Sequence, residues 1–146
     1  MTEFNSLEAS TVVRAPADVV FDEVCNIEGR VRDVPAFQRV EIDERFEGGF
    51  VATMYENYGG RDVVVTSRFR FERPFWVTYE HLKGPSGQNR GRFTITATRE
   101  GTLLHQVHET LMDVDEGTTL RGEWIQLMKQ QLEAIRVAAE GRVASV

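Results

Sequence analysis

Apolar positions recur along this chain with two different periods, and the change between them divides it into three parts. At the start, LEASTVVRAP alternates as a strand, and Pro16 opens a helix at a favourable first-turn position. ADVVFDEVCNIE then sets Val20, Phe21 and Val24 on one side at helical spacing. Gly29 and Pro35 bracket a second short helix or turn, GRVRDVP.

From Phe37 the period becomes two. FQRVEIDERF alternates, EGG turns the chain into FVATMYENY, and YGGRD is a second hairpin signal leading into VVVTSRFRF. Pro74 breaks that run before FWVTYEHL, and the turn-forming stretch GPSGQNRG reads as a loop before RFTITATR. EGT makes the last tight turn, into LLHQVHETLM. Six consecutive strands on short turns predict an antiparallel meander. After DVDEG the helical period returns from about Thr118 to Glu140, where Leu120, Trp124, Leu127, Met128, Gln131, Ile135 and Ala138 recur every three or four residues. Such a helix is about 33 Å long, enough to cross a small sheet.

The expected class is therefore α+β: strand, two short helices, six strands, long helix, in one domain over residues 1–146. One long helix offers too little surface to fill the concave face of a seven-stranded sheet. Either aromatic side chains pack that face, or the sheet wraps the helix around a cavity.

Composition narrows the function classes. A chain of 146 residues can bury a single core without staples. Cys25 is the only cysteine, so no internal disulfide or cysteine-rich zinc site is expected, in keeping with a cytoplasmic setting. MTEFNSLEAS has neither a basic start nor an apolar run, so no signal peptide is expected, and no segment nears the length of a membrane span. A net charge of −6 argues against nucleic acid. There is no Ser–His–Asp order signature, glycine-rich phosphate loop before a helix, or nucleotide fingerprint. The expected partner is a hydrophobic small molecule bound by a monomer or homodimer, with no cofactor, metal, nucleic acid or membrane insertion.

The candidate chemistry begins with LLHQVHETL, which holds His105, His108 and Glu109. On a strand, residues three apart face opposite sides, so the two histidines cannot share one ion without a bulge. Hydrophobicity leaves the inward face open: Leu103, Val107 and Leu111 lie with His105, and Leu104, Gln106, Thr110 and Met112 with His108. On the fourth strand Val63, Val65, Ser67, Phe69 and Phe71 mark the inward face. A one-residue shift would bring Arg68 inward and turn large apolar side chains out. In VTYEHL, Glu80 comes inward with Trp76, Thr78 and Leu82, whereas the opposite register brings in Val77, Tyr79 and His81. An inward Glu80 would have a raised pKa and serve as an acid.

Four pieces in order, VVRAPADVVFDEVCNIEG, VPAFQRVEI, the TSRF…VTYEHLKGP block and GTLLHQVHETLM followed by LEAIRVAAE, resemble the START-like, helix-grip superfamily. The similarity is to its polyketide cyclase/aromatase and coenzyme-Q-binding-protein branch, and it spans nearly the whole chain. The resemblance implies a curved sheet gripping the C-terminal helix over a deep, mostly apolar cavity for polyketides, isoprenoids, steroids or lipids. In the cyclase/aromatase branch, a second-strand tyrosine and a fourth-strand arginine are proposed to assist aldol closure and dehydration. Here those positions fall on Phe37 and Phe69.

The family pattern after a GT turn puts Leu104, Gln106, His108, Thr110 and Met112 inward. His108 and Glu80 are then the candidate catalytic residues. A lining of Phe37, Met54, Ser67, Phe69, Phe93 and Gln106 from the strands is implied. Trp124, Met128 and Gln131 would complete it from the helix, and GPSGQNRG would be a mobile loop at the mouth. Two functions follow: a metal-free cyclase/aromatase or dehydratase, or a non-catalytic carrier, chaperone or sequestering protein for a hydrophobic metabolite, quinone or lipid.

Overall fold

In a computed structural model, which describes residues 5–58, 60–84, 88–110 and 119–144, strands and helices follow the expected order. Strand β1 (Asn5–Val13) leads to helices α1 (Ala17–Cys25) and α2 (Ile27–Asp33). The meander comprises β2 (Phe37–Phe46), β3 (Gly49–Tyr58), β4 (Arg61–Glu72), β5 (Trp76–Lys83), β6 (Asn89–Thr98) and β7 (Gly101–Thr110). Helix α3 (Thr119–Ala144) closes the chain. The strands form one antiparallel sheet in the order β1-β7-β6-β5-β4-β3-β2. Only β1 departs from sequential neighbours, returning across the open end to pair with β7. This is the helix-grip arrangement: a curved sheet with one long helix across it.

Register shifts within the β2–β3 and β4–β5 pairs mark bulges, which bend a sheet and increase its twist. Helix α3 is about 39 Å long at 1.5 Å per residue. It packs on β1, α1 and α2 and buries Met128, Leu132, Ile135 and Ala139, one stripe at helical spacing. Its second half meets Val13, Val20, Phe21, Val24, Val77, Ile95 and Leu104 in the main apolar core. A smaller cluster, Ile27, Phe50 and Ala52, sits under β2–β4. No helix among the described residues is long and apolar enough to cross a membrane.

Three boundaries differ from the sequence reading. Pro16 is the residue before the first turn of α1, accepting from the N–H groups of Val19 and Val20, rather than part of that turn. Helix α2 starts at Ile27, two residues before Gly29, because the Asn26 side chain accepts from the Gly29 N–H at 3.1 Å and caps it. Asn89, Arg90 and Gly91 belong to β6 instead of a loop. The centre of the expected mouth loop, residues 85–87, and Met112 lie outside the described residues.

Candidate functional site

Where the first half of α3 crosses β2–β7, the sheet and helix do not close on each other. A pocket of about 380 Å³ lies between them, bounded on one side by α2. Phe37, Met54, Ser67, Phe69, Phe93 and Gln106 line it from the sheet, and Trp124, Met128 and Gln131 from α3. Its walls are mainly apolar, with Phe50 stacked on Phe69 at 4.7 Å between ring centroids. The β3–β4 end carries Glu56, Arg61 and Asp62.

Strand alternation decides which polar groups reach this space. On β7 the inward series is Thr102, Leu104, Gln106, His108 and Thr110. His105 faces the other side, 3.2 Å from Glu8, and Glu109 lies 3.3 Å from Arg90 on that same outer face. On β4, Val65, Ser67 and Phe69 face the pocket and Arg68 faces out.

The β4–β5 register corrects the expectation for Glu80. Arg68 pairs with Glu80 and Phe69 with Tyr79, and residues directly opposite in a sheet share a face. Turning Phe69 in therefore turns Glu80 out, where its carboxylate accepts from Arg68 at 2.9 Å and is half exposed. It does not line the pocket and is not placed to act there as an acid. Val77, Tyr79 and His81 come inward in its place.

Tyr79 organises the polar wall. Its hydroxyl lies 2.6 Å from His108 Nδ1 and accepts from Gln106 Nε2 at 3.0 Å. The polarity of this chain follows from the donors available. An amide nitrogen only donates, so the Tyr79 oxygen accepts from Gln106 and its own proton points to His108 Nδ1. Burial, with a smaller contribution from His81, lowers the His108 pKa to about 4, so the ring is neutral near pH 7. A neutral imidazole that accepts at Nδ1 carries its proton on Nε2. The relay thus ends in an N–H donor on the edge of His108 away from Tyr79. Burial also raises the Tyr79 pKa, which keeps the phenol protonated.

Packing fixes these rings. Trp124 meets His108 edge-on at 5.5 Å, and His81 lies 6.0 Å from His108 between centroids. Gly91, opposite Tyr79 in the β5–β6 pair, leaves room for the phenol; a Cβ there would lie 2.2 Å from its ring and hydroxyl. His81 is likewise neutral, its pKa lowered to about 4 by burial. Two buried polar atoms, His81 Nδ1 and Gln106 Oε1, have no hydrogen-bond partner among the described residues. Buried polar atoms are paired in most folds, so these mark a place where polarity is kept for something other than stability.

Helix α2 contributes Ile27 and Arg30 to the pocket wall. The start of α2 at Ile27 makes Ile27, Arg30 and Val34 one buried stripe at three- and four-residue intervals, a pattern hidden when the helix is started at Gly29. Tyr79 and His81 had a visible alternative register in the sequence. Arg30 had no signal except that spacing. Among the described residues, no group of three or more His, Cys, Asp or Glu side chains is placed to hold a metal ion.

The fold has solved relatives. It is similar to the Zhui aromatase/cyclase from Streptomyces sp. R1128, with a TM-score of 0.78 and 22% identity, over 97% of this chain and 96% of that one. It is similar to the di-domain aromatase/cyclase StfQ of the steffimycin biosynthetic pathway, with a TM-score of 0.84 and 18% identity, over 97% of this chain and 52% of StfQ. A START superfamily protein from Mycobacterium smegmatis superposes with a TM-score of 0.72 and 18% identity, over 96% of this chain and 97% of the other. No protein-family model and no curated protein matches the sequence. At these identities the likeness establishes a START-like, polyketide-cyclase-type fold.

Proposed function

We propose that the pocket binds a hydrophobic small molecule of polyketide-like or other aromatic or isoprenoid character, and that His108 holds one of its oxygens. The observation that carries this reading is the Gln106–Tyr79–His108 relay, a directed donor chain built into a mainly apolar wall. A volume of about 380 Å³ lies within the range of small-molecule sites, about 300–1,000 Å³. The aromatase/cyclase neighbours support the same class of ligand.

In the enzymatic form of this reading, the apolar walls fold a flexible chain into one reactive conformer, which supplies most of the acceleration. The neutral His108 donates from Nε2 to a ligand carbonyl and stabilises the negative charge that grows there as a ring closes. Proton shuttling by His108 needs the relay to reverse. Nδ1 would then donate to Tyr79, Tyr79 to a flipped Gln106 amide, and Nε2 would become the base. Ser67 is small, polar and buried on the same wall, placed to bind a ligand hydroxyl. Glu80 has no part in this chemistry.

One observation favours a second reading. Phe37 and Phe69 stand where the cyclase branch has a hydroxyl and a cation, which suits a carrier or sequestering protein that binds without turnover. The two readings separate on His108→Ala with Glu80→Ala as a surface control, incubated with linear polyketide-like substrates. The enzyme reading expects product formation in His108→Ala to fall by far more than the accompanying loss of affinity, and both to be kept in Glu80→Ala. Absence of product from the wild type with every substrate class that binds contradicts turnover and leaves the carrier.

A further inference from the structure

Arg30 is the most deeply buried cation among the described residues, at 4% exposure, and it forms part of the pocket wall. Its guanidinium donates to the backbone carbonyls of Glu23, at 2.8 Å, and Val24, at 2.5 Å. Those carbonyls belong to the last turn of α1, where orphan C=O groups and the negative helix end attract a cation. Two carbonyls do not neutralise a full charge, and a buried cation without a counter-ion is costly.

No carboxylate among the described residues pairs with Arg30. The nearest acid in sequence on α1, Glu23, bonds to Asn26 and Arg142, at 3.5 and 3.4 Å, and not to the guanidinium. Of the five N–H bonds of a guanidinium, two serve the α1 carbonyls. The acids that do line the pocket, Glu56 and Asp62, sit on β3 and β4 with Asp62 bonded to Asn57. The Arg30 end of the pocket thus carries a positive charge beside apolar walls that no carboxylate among the described residues contacts, the Glu23 charge acting on it only from a distance. Burial lowers its pKa only to about 10, so the charge persists at neutral pH.

We propose that the pocket selects a hydrophobic ligand bearing an ionised carboxylate, which pairs with the Arg30 guanidinium. This rests on the reading of the pocket as a ligand site and specifies its chemistry. The carboxylate docks at the α2 end, the hydrocarbon lies along Phe37, Phe69 and Phe93, and a hydroxyl or carbonyl reaches the His108 relay. A charge-assisted, bidentate contact shielded from water makes the acid the preferred form of such a molecule over its neutral ester.

Isothermal titration at pH 7 with 2-naphthoic acid and methyl 2-naphthoate tests this. The wild type is expected to bind the acid at least about tenfold more tightly than the ester. Arg30→Met should abolish that preference while ester affinity stays within about threefold, and Arg30→Lys should restore part of it. Arg30 also caps α1, so Arg30→Met carries a folding risk. The wild-type ratio and Arg30→Lys then decide: a preference in Arg30→Lys that is reduced but not abolished supports the pairing, and one equal to the wild type's overturns it. An ester bound as tightly as the acid by the wild type overturns the proposal and leaves the pocket reading standing. Acid preference that survives in Arg30→Met also overturns it, and assigns the charge to Arg61 at the pocket's other end. Binding of neither probe overturns the pocket reading itself for aromatic ligands, and this proposal with it.

Discussion

Strands β5 and β7 each pass through two environments on the same face of the sheet. At one end, Val77 and Leu104 are fully buried in the apolar core beneath the second half of α3. Two residues along are Tyr79 and Gln106, and four residues along are His81 and His108, all on the pocket wall. Backbone geometry and pairing are continuous across the change, so only side-chain chemistry differs. The core end is apolar but for Thr102, whose buried hydroxyl is satisfied by donating to the Ala15 carbonyl at 2.7 Å. The pocket end keeps a phenol, two imidazoles and an amide away from water, with His81 Nδ1 and Gln106 Oε1 unpaired among the described residues. Unpaired buried polar groups cost about 1–3 kcal/mol each, so this end trades stability for something else. On the proposed function, the contrast gives stability to one half of the grip and recognition to the other.

The largest effects should come from substitutions that test this division directly. Leu104→Ala deletes a fully buried side chain and should lower unfolding free energy by about 2–5 kcal/mol in urea titrations. Gln106→Leu, two residues away on the same face, removes an unpaired acceptor along with the donor to Tyr79. It should change stability by no more than about 1 kcal/mol while weakening aromatic ligand binding. Equal destabilisation by the two would break the division.

Acid should act most strongly on the pocket end. His81 and His108 have folded pKa values lowered to about 4 by burial, against 6.5 ordinarily. Between those values the unfolded chain binds more protons, so stability rises with pH. Their contribution is complete above about pH 6.5 and is lost as pH falls towards 4, by up to about 3 kcal/mol for each imidazole. Urea midpoints measured from pH 4 to 7.5 should show this slope, and His108→Gln should flatten it by about half. A flat profile would mean that the imidazoles are hydrated rather than buried.

A smaller change sharpens the role of packing in the relay. In Gly91→Ala the new Cβ collides with the Tyr79 ring, which Gln106 and His108 also hold. We expect a loss of about 1–3 kcal/mol and a shift of the His108 imidazole resonances in NMR spectra. Unchanged His108 resonances would show that Tyr79 moves without disturbing its partner.

How much of this was legible in the sequence depended on whether local patterning or long-range register decided it. Strand β4 announced its faces, because Val63, Val65, Phe69 and Phe71 outweigh the alternative. Strand β7 alternated almost evenly, and the resemblance to helix-grip proteins was needed to choose His108 over His105. Strand β5 was balanced: Trp76, Thr78 and Leu82 looked as suitable inward as Val77, Tyr79 and His81. The connection between Glu72 and Trp76 sets the β4–β5 register, which runs without a shift to the Ser67–His81 pair, and with it the faces of Glu80 and Tyr79; no local pattern encodes that offset. Outer-face contacts then reward the outcome, with Glu80 on Arg68 and Arg92 over the Trp76 ring at 5.3 Å. Arg30 carries little local signal, because arginine is rarely fully buried and its stripe shows only when α2 starts at Ile27.

The central claim, that the polar end of the grip holds a hydrophobic small molecule, is tested most directly by what the protein carries. Wild-type protein and Met128→Trp, which fills the pocket from α3, should be purified from the native cells, extracted with organic solvent and compared by mass spectrometry. The account predicts a hydrophobic compound in near-stoichiometric amount from the wild type and little or none from folded Met128→Trp. The same compound recovered equally from both proteins, or none from the wild type, would contradict it.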